Sequence, residues 1–123
     1  MLNLPKVLLV EDDTELRAVV RDILEDEGFD VTAIGTYAEA LAILDGGFTP
    51  NAALLDHKLP DGFGSDLCRL IKDRYPGVLC VLFSGLREAA PLAIGAGADH
   101  WLFKPFGMDE LVRRVRVLAP LSP

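Results

Sequence analysis

The sequence has few cysteines, few basic residues and no long apolar run, and each shortage argues against a class of protein. Cys68 and Cys80 are the only cysteines in 123 residues, and neither has a partner at a spacing typical of metal ligands. A disulfide framework or a zinc site is therefore not expected. Both thiols lie in apolar stretches, so we predict that they are small buried groups.

Basic residues are outnumbered, with 12 Lys and Arg against 19 Asp and Glu and a formal net charge of -7. Such a surface repels phosphate backbones, so direct binding to nucleic acid is not expected. The longest apolar run, residues 78–83, is far shorter than the roughly 20 residues of a membrane span, and residues 1–5 do not resemble a leader. These features predict a cytoplasmic protein without a membrane partner.

Five short apolar runs divide the chain, which is long enough for one core and too short for two ordinary domains. They do not alternate with polar residues, which indicates strands buried on both faces. The predicted strands are residues 7–10, 31–34, 52–55, 78–83 and 101–103.

Segments with helical spacing alternate with these runs. The first helix is predicted from one apolar face, formed by Leu16, Val19, Val20, Ile23 and Leu24. Shorter patterns predict a second helix over 39–44 and a third that contains Leu67, Leu70 and Ile71 and ends near Tyr75. A last helix would bury Met108, Leu111, Val112 and Val115, with acids at its start and arginines towards its end.

Alternation of strands and helices predicts an α/β fold in which right-handed crossovers build a doubly wound parallel sheet. The flavodoxin-like strand order 2-1-3-4-5, with five helices, is the expected architecture. In such sheets ligands bind beyond the carboxyl ends of the strands. Functional residues should therefore follow the strands directly.

Three acids, a hydroxyl and an amine occupy these positions, namely Glu11 and Asp12, Asp56, Ser84, and Lys104. Clustered carboxylates repel one another unless a cation joins them, and hard oxygen ligands suit Mg²⁺. A carboxylate can attack phosphorus while a metal and an amine neutralise the developing charge. The pattern indicates a phosphoryl-transfer site, with Asp56 as nucleophile.

Four fragments in order carry a family resemblance: 10–13 (VEDD), 54–62 (LLDHKLPDG), 83–85 (FSG) and 103–106 (FKPF). Together they resemble the receiver domains of two-component response regulators, of the kind similar to chemotaxis regulators. The resemblance extends over nearly the whole chain. The resemblance implies that Asp56 is the phosphoacceptor, Ser84 the switch hydroxyl and Lys104 the conserved lysine. It also implies a Mg²⁺ site formed by Glu11, Asp12, Asp56 and the backbone carbonyl of Lys58.

Further roles follow only from the resemblance. Lys104 and Pro105 would form a cis peptide, and Trp101 would stand where a smaller ring usually switches rotamer. The phosphoryl donor would be a sensor histidine kinase or a histidine phosphotransfer protein. Output would pass to a downstream protein or a fused domain. A homodimer could form through the face made by the expected fourth helix, the fifth predicted strand (residues 101–103) and the last helix. The chain would be a signalling switch that assists its own phosphorylation and dephosphorylation, not an enzyme.

Several residues have simpler interpretations. Asp13 is expected to cap the first helix, and Asp61 with Gly62 to shape a turn. His57 is expected to be exposed and non-catalytic. Pro91 falls where a fourth helix should lie and predicts a short or displaced helix. We predict a receiver domain over residues 1–118, followed by a tail or the start of a linker over 119–123.

Two other functions remain open from the sequence. A pseudo-receiver would keep the fold and signal without phosphorylation, which the intact set of acids disfavours. A phosphatase with an aspartate nucleophile would typically carry a second Asp two residues after the first. Lys58 stands at that position.

Overall fold

The computed structural model describes residues 4–85, 95–104, 107, 109–111 and 113. Helices and strands alternate along them as the sequence predicts. In chain order they are β1 (Lys6–Val10), α1 (Thr14–Asp26), β2 (Asp30–Ile34), α2 (Tyr37–Asp45), β3 (Ala52–Asp56), β4 (Lys58–Leu59), β5 (Gly62–Phe63), α3 (Gly64–Arg74), β6 (Leu79–Ser84) and β7 (His100–Phe103).

Five parallel strands form one sheet in the order β2-β1-β3-β6-β7. This confirms the predicted 2-1-3-4-5 order, with strand bounds that differ from the prediction by one residue at most. The sequence analysis missed the two-residue strands β4 and β5, which pair antiparallel with each other. Two residues are too few for hydrophobic periodicity to reveal a strand.

Two apolar clusters cover the two faces of the sheet. One joins the sheet to α2 and α3 and contains Cys68 and Cys80, which are both fully buried and free, as predicted. The other joins the sheet to α1 and to Leu111 of the last predicted helix. Only β3 is buried along its whole length, whereas β2 has a single buried residue, Ile34. The other edge strand, β7, likewise has a single buried residue, Leu102. The prediction that every strand is buried on both faces is therefore wrong for both edge strands.

Short polar side chains cap the N-termini of α1 and α2. Asp13 caps α1 as predicted, its Oδ1 accepting from the backbone N–H groups of Glu15 and Leu16 at 3.0 and 3.2 Å. Thr36 begins α2 earlier than the apolar pattern indicates, because its Oγ1 accepts from the Glu39 N–H at 3.1 Å.

Val19 was expected to face the core, but it is 42% exposed at the margin of the apolar face of α1.

Two predicted helices lie largely outside the described residues, and with them the predictions on Pro91, Met108, Val112 and Val115. Residues 109–111 are helical, and Leu111 is buried as expected. Within the part of the chain that the structure describes, no helix combines the length and apolar character needed to cross a membrane.

Gly64 is required at the start of α3 for space. A Cβ atom there would overlap the carbonyl oxygen of Asp56 and lie 3.0 Å from a methyl group of Leu82. We expect Gly64→Ala to lower the free energy of unfolding by about 3 kcal/mol, because the obstructing atom belongs to the backbone of β3. Urea denaturation followed by circular dichroism measures this loss.

Gly77→Ala is the matched control, because a Cβ at Gly77 meets no atom within 4 Å. It should change stability by less than about 1 kcal/mol. Equal stability of the two variants would contradict the close approach of α3 to β3.

Candidate functional site

The carboxyl ends of four parallel strands bring the predicted residues to one edge of the sheet. Glu11 follows β1, and Asp56 ends β3 opposite Phe83 in the register of β6. Ser84 ends β6 opposite Phe103, which immediately precedes Lys104. Hydrogen bonds continue the sheet beyond this edge, with the N–H of Lys104 donating to the carbonyl of Ser84 at 2.7 Å. The order of the strands thus places residues distant in sequence beside each other.

Lys104 lies between two of the acids. Its Nζ is 2.7 Å from Glu11 Oε1 and 3.3 Å from Asp56 Oδ2, and it stands 5.2 Å from the centre of the Phe83 ring. The lysine side chain keeps a quarter of its area exposed, whereas Glu11 is fully buried and Asp56 is 5% exposed. A single amine therefore contacts two carboxyl groups that water scarcely reaches and can balance the charge of only one of them.

Glu11, Asp12 and Asp56 form a carboxylate cluster in which one oxygen from each lies within 4.8 Å of the others. Two of these acids are buried, and Asp12 is exposed. The cluster confirms the predicted convergence of the three acids. Hard oxygen donors, one of them open to water, fit a hydrated divalent cation such as Mg²⁺, which usually keeps several water ligands.

The crowding of the site shifts the pKa values of its groups. Burial, followed by the neighbouring Asp56 carboxyl, raises the pKa of Glu11 to about 8, although Lys104 opposes the shift. Burial also disfavours the charge of Lys104, but its contacts with Glu11 and Asp56 outweigh that cost and raise its pKa. For Asp12, burial is the largest single influence and acts to raise the pKa, but hydrogen bonds with the other two carboxyls, a backbone hydrogen bond and the charge of Lys104 together lower it.

Ser84 and Lys58 border the cluster on different elements. Ser84 is 6% exposed at the end of β6, next to the residue that faces Asp56 across the sheet. Lys58 begins β4, two residues beyond Asp56, and its side chain is exposed. Roles for the Ser84 hydroxyl and the Lys58 carbonyl remain predictions.

His57 is buried, and the expectation that it is exposed is wrong. Only 5% of the residue is accessible, and its ring centre lies 5.5 Å from that of Phe63 in β5. Its Nδ1 has no hydrogen-bond partner among the described residues. The error follows from the missed β4–β5 pair, because Phe63 lies against the histidine ring. The backbone of His57 bonds to Phe83 and Gly64, fixing the chain directly after Asp56.

Asp61 ties the loop after Asp56 to α2, a role that sequence analysis missed. Its two carboxylate oxygens accept from the N–H groups of Tyr37 and Ala38 at 2.8 and 3.0 Å. These bonds lower the pKa of Asp61. The turn predicted for Asp61 and Gly62 is present between β4 and β5, but only the tertiary structure shows which helix it caps.

Trp101 and Pro105 belong to the predicted switch region. Trp101 is half-buried on β7, opposite Leu82 of β6, and packs against the cluster formed with α2 and α3. Pro105 lies outside the described residues, and with it the predicted cis peptide to Lys104. The structure therefore tests neither the predicted switching role of Trp101 nor the predicted cis peptide.

Fold and site together define a class of protein: a doubly wound α/β domain with an acid cluster and a lysine beyond the carboxyl ends of its parallel strands. The family model for the response regulator receiver domain matches residues 7–116 of the sequence. The chain belongs to this family.

Known relatives support the assignment over nearly the whole chain. The DNA-binding response regulator MtrA of Mycolicibacterium paratuberculosis is 35% identical over 113 residues, which cover 90% of this chain and 49% of the relative. The chain thus spans about half the length of the curated relatives it matches.

Solved structures agree with the fold. A CheY-like response regulator receiver domain protein from Methanospirillum hungatei has a TM-score of 0.88 at 31% identity, with 97% of both chains covered. The BeF3-activated receiver domain of DrrB has a TM-score of 0.84 at 28% identity, covering 96% of this chain and 99% of that domain.

The raised pKa of Glu11 predicts a pH dependence of stability in the absence of divalent cations. Because the folded-state pKa of about 8 exceeds the ordinary 4.5, the folded chain holds the proton more tightly than the unfolded chain. This stabilisation is complete below pH 4.5 and is lost as the pH rises through about 8. Glu11→Gln, a neutral isostere, should lack this dependence.

Urea denaturation of both chains at several pH values in EDTA measures the difference. The free energy of unfolding of the wild type should fall relative to that of the variant as pH rises across this window. A constant difference would show that Glu11 is ionised throughout.

Proposed function

We propose that this chain is the phosphoacceptor domain of a two-component response regulator and that Asp56 is the residue phosphorylated. The observation that carries the proposal is the contact of one amine, Lys104 Nζ, with both Glu11 and Asp56 inside a cluster of three carboxylates. An ordinary ion pair needs one acid, and each further buried acid costs stability. The additional acids therefore indicate a functional role.

The reaction assigned to Asp56 is in-line transfer of a phosphoryl group. A carboxylate oxygen of Asp56 forms a bond to phosphorus as the bond from phosphorus to a donor histidine nitrogen breaks. The imidazole leaves, and an acyl phosphate forms on Asp56. Charge accumulates on the phosphoryl oxygens during transfer, and Lys104, already 3.3 Å from Asp56 Oδ2, can neutralise part of it.

Glu11, Asp12 and Asp56 would hold Mg²⁺, together with the Lys58 carbonyl. When bound, the ion supplies positive charge to the incoming phosphoryl oxygens. Asp12 suits a direct ligand, because its exposed carboxylate has a lowered pKa and is ionised at neutral pH. Glu11, which is fully buried and hydrogen-bonded to Lys104, would also hold the amine in place.

Ser84 is the assigned switch hydroxyl, because it ends the strand next to β3 at the level of the acceptor. A hydroxyl there can donate to a phosphoryl oxygen and draw the loop that follows β6 towards Asp56. Trp101 lies on the neighbouring strand β7, opposite Leu82. Movement of the loop would therefore change the packing on the β6–β7 side of the sheet.

The proposed partners are a histidine kinase or a histidine phosphotransfer protein as donor, and a downstream protein or a fused output domain as receiver of the signal. MtrA, roughly twice as long as the matched segment, is described as DNA-binding. For this chain the net charge of -7 favours a protein partner over direct contact with DNA. We propose that the protein acts in the cytoplasm, where such donors phosphorylate their targets.

Phosphorylation of Asp56 is tested with acetyl phosphate, which transfers its phosphoryl group without a kinase. With Mg²⁺ present, the intact mass of the chain should rise by one phosphate, and EDTA should abolish the gain. Asp56→Asn should remain unlabelled, because an amide is too weak a nucleophile to accept phosphorus.

Asp13→Asn is the matched control, since it removes a nearby acid that caps α1, and Asn also caps helices well. It should be labelled like the wild type. Labelling that survives Asp56→Asn, or no labelling of the wild type, would refute the assignment.

Lys104→Met should slow labelling about 10- to 1000-fold, because it removes an amine that contacts the acceptor at 3.3 Å. Asp56 remains present, so slow labelling should still occur. A rate equal to that of the wild type would show that Lys104 serves stability alone. Urea denaturation of the variant checks that it is folded.

Trp101 fluorescence tests the proposed movement. Beryllofluoride mimics a bound phosphoryl group, and we expect it to shift the emission maximum or intensity of this single tryptophan in the wild type. Asp56→Asn should show no response. An unchanged wild-type spectrum, under conditions where beryllofluoride binding is detected by NMR, would exclude Trp101 as a part of the switch.

A further inference from the structure

Arg17 reaches back from α1 to the loop that carries the acids. Its Nη1 donates to the backbone carbonyl of Glu11 at 2.9 Å, across six residues of sequence. The base of the side chain is fixed as well, because the N–H of Arg17 donates to the carbonyl of Asp13 at 2.8 Å. The peptide that joins Glu11 to Asp12 is therefore held by the first helix.

Gly35 leaves the space that the guanidinium occupies. A Cβ atom on Gly35 would lie 2.6 Å from Arg17 Nη1, and the next nearest atoms, Arg17 Cζ and the Glu11 carbonyl oxygen, are at 3.7 Å. The backbone of Gly35 does not have a positive φ, unlike that of Gly28, Gly47 and Gly97. Alanine is thus compatible with the chain conformation at this position, and its methyl group would meet chiefly the guanidinium.

The backbone of Glu11 is held at both of its peptide groups. Its N–H donates to the carbonyl of Ile34 at 3.0 Å, and its carbonyl accepts from Arg17. Asp12, the next residue, is exposed, so apart from its hydrogen bonds with the other two carboxyls little packing fixes its direction. The orientation of the preceding peptide therefore contributes to where the Asp12 carboxylate points.

We propose that Arg17 is a positioning residue for the metal-binding acids, and that Gly35 is the glycine that lets it reach them. The proposal rests on the metal-binding part of the proposed function. Arg17 acts through the Glu11–Asp12 peptide and does not contact the metal. Gly35 acts only through Arg17.

The charge of Arg17 and its positioning role predict opposite effects of an Arg17 substitution on Mg²⁺ affinity. A guanidinium near a cation site repels the cation, so removing its charge alone would strengthen Mg²⁺ binding. Without the hydrogen bond from Arg17, the residues that carry the Glu11 and Asp12 carboxyls are less ordered. Ordering them again when Mg²⁺ binds costs free energy, so the affinity for Mg²⁺ falls. The sign of the change in Mg²⁺ affinity therefore separates the two effects.

The test measures the dissociation constant of Mg²⁺ by NMR titration of amide shifts for the wild type, Arg17→Met, Gly35→Ala and the double variant, with a fifth chain as control. Arg17→Met, which keeps an unbranched helix-forming side chain, should bind Mg²⁺ about three- to tenfold more weakly, as expected for one net hydrogen bond. Gly35→Ala should show a similar loss although it leaves every charge in place. In the double variant the losses should not add, because no guanidinium remains for the methyl group to displace.

Arg21→Met is the matched control. Arg21 lies one turn further along α1, is exposed, and pairs only weakly with Asp22 and Glu25 at 3.5 and 3.8 Å. Its removal takes the same charge from the same helix and leaves the Glu11 carbonyl bonded. Mg²⁺ affinity should be equal to that of the wild type or slightly tighter.

Labelling with acetyl phosphate gives a second measure. For Arg17→Met and Gly35→Ala, the Mg²⁺ concentration for half-maximal labelling should rise about three- to tenfold, whereas the rate at saturating Mg²⁺ should stay within about twofold. A purely structural role would lower thermal stability without this split.

Unchanged or tighter Mg²⁺ binding by Arg17→Met would overturn the proposal, and so would additive losses in the double variant. Failure of the wild type to be labelled would instead refute the phosphoacceptor assignment, because the Mg²⁺ titrations require no phosphoryl donor. Failure of the wild type to bind Mg²⁺ would overturn both.

Discussion

The contact of Lys104 with Glu11 and Asp56 is the interaction on which the rest of the site depends. Three carboxylates within 4.8 Å of one another repel strongly, and two of them are buried. The amine offsets part of this repulsion, but burial, followed by the neighbouring Asp56 carboxyl, still raises the pKa of Glu11. A divalent cation bound to the cluster would therefore stabilise the folded chain.

Backbone geometry around the acceptor holds this cluster in place. Gly64 allows α3 to start against the carbonyl of Asp56, and Asp61 fastens the following loop to α2. Arg17 fastens the acid loop to α1. Each of the helices α1, α2 and α3 is therefore linked to the loops of the site through a specific contact with the backbone.

Much of the fold was predictable because parallel strands and amphipathic helices have characteristic periodicities. The five sheet strands, the three helices and the cap at Asp13 follow from local patterns. The predictions failed where neighbours decide burial: Val19 is exposed, β2 is an edge strand, and His57 is buried beside Phe63. Burial of a side chain depends on which distant element covers it, and no local pattern carries that information.

The sequence by itself determined which residues form the site, because each follows directly after a strand of a sheet whose order is limited by chain connectivity. Glu11, Asp12, Asp56 and Lys104 were all identified in this way. Only the tertiary structure decided their geometry: that one amine contacts two acids, and that Arg17 and Asp61 secure the loops. The reason is that side-chain contacts of a few ångströms depend on packing between elements, whereas strand ends depend on local hydrophobic pattern.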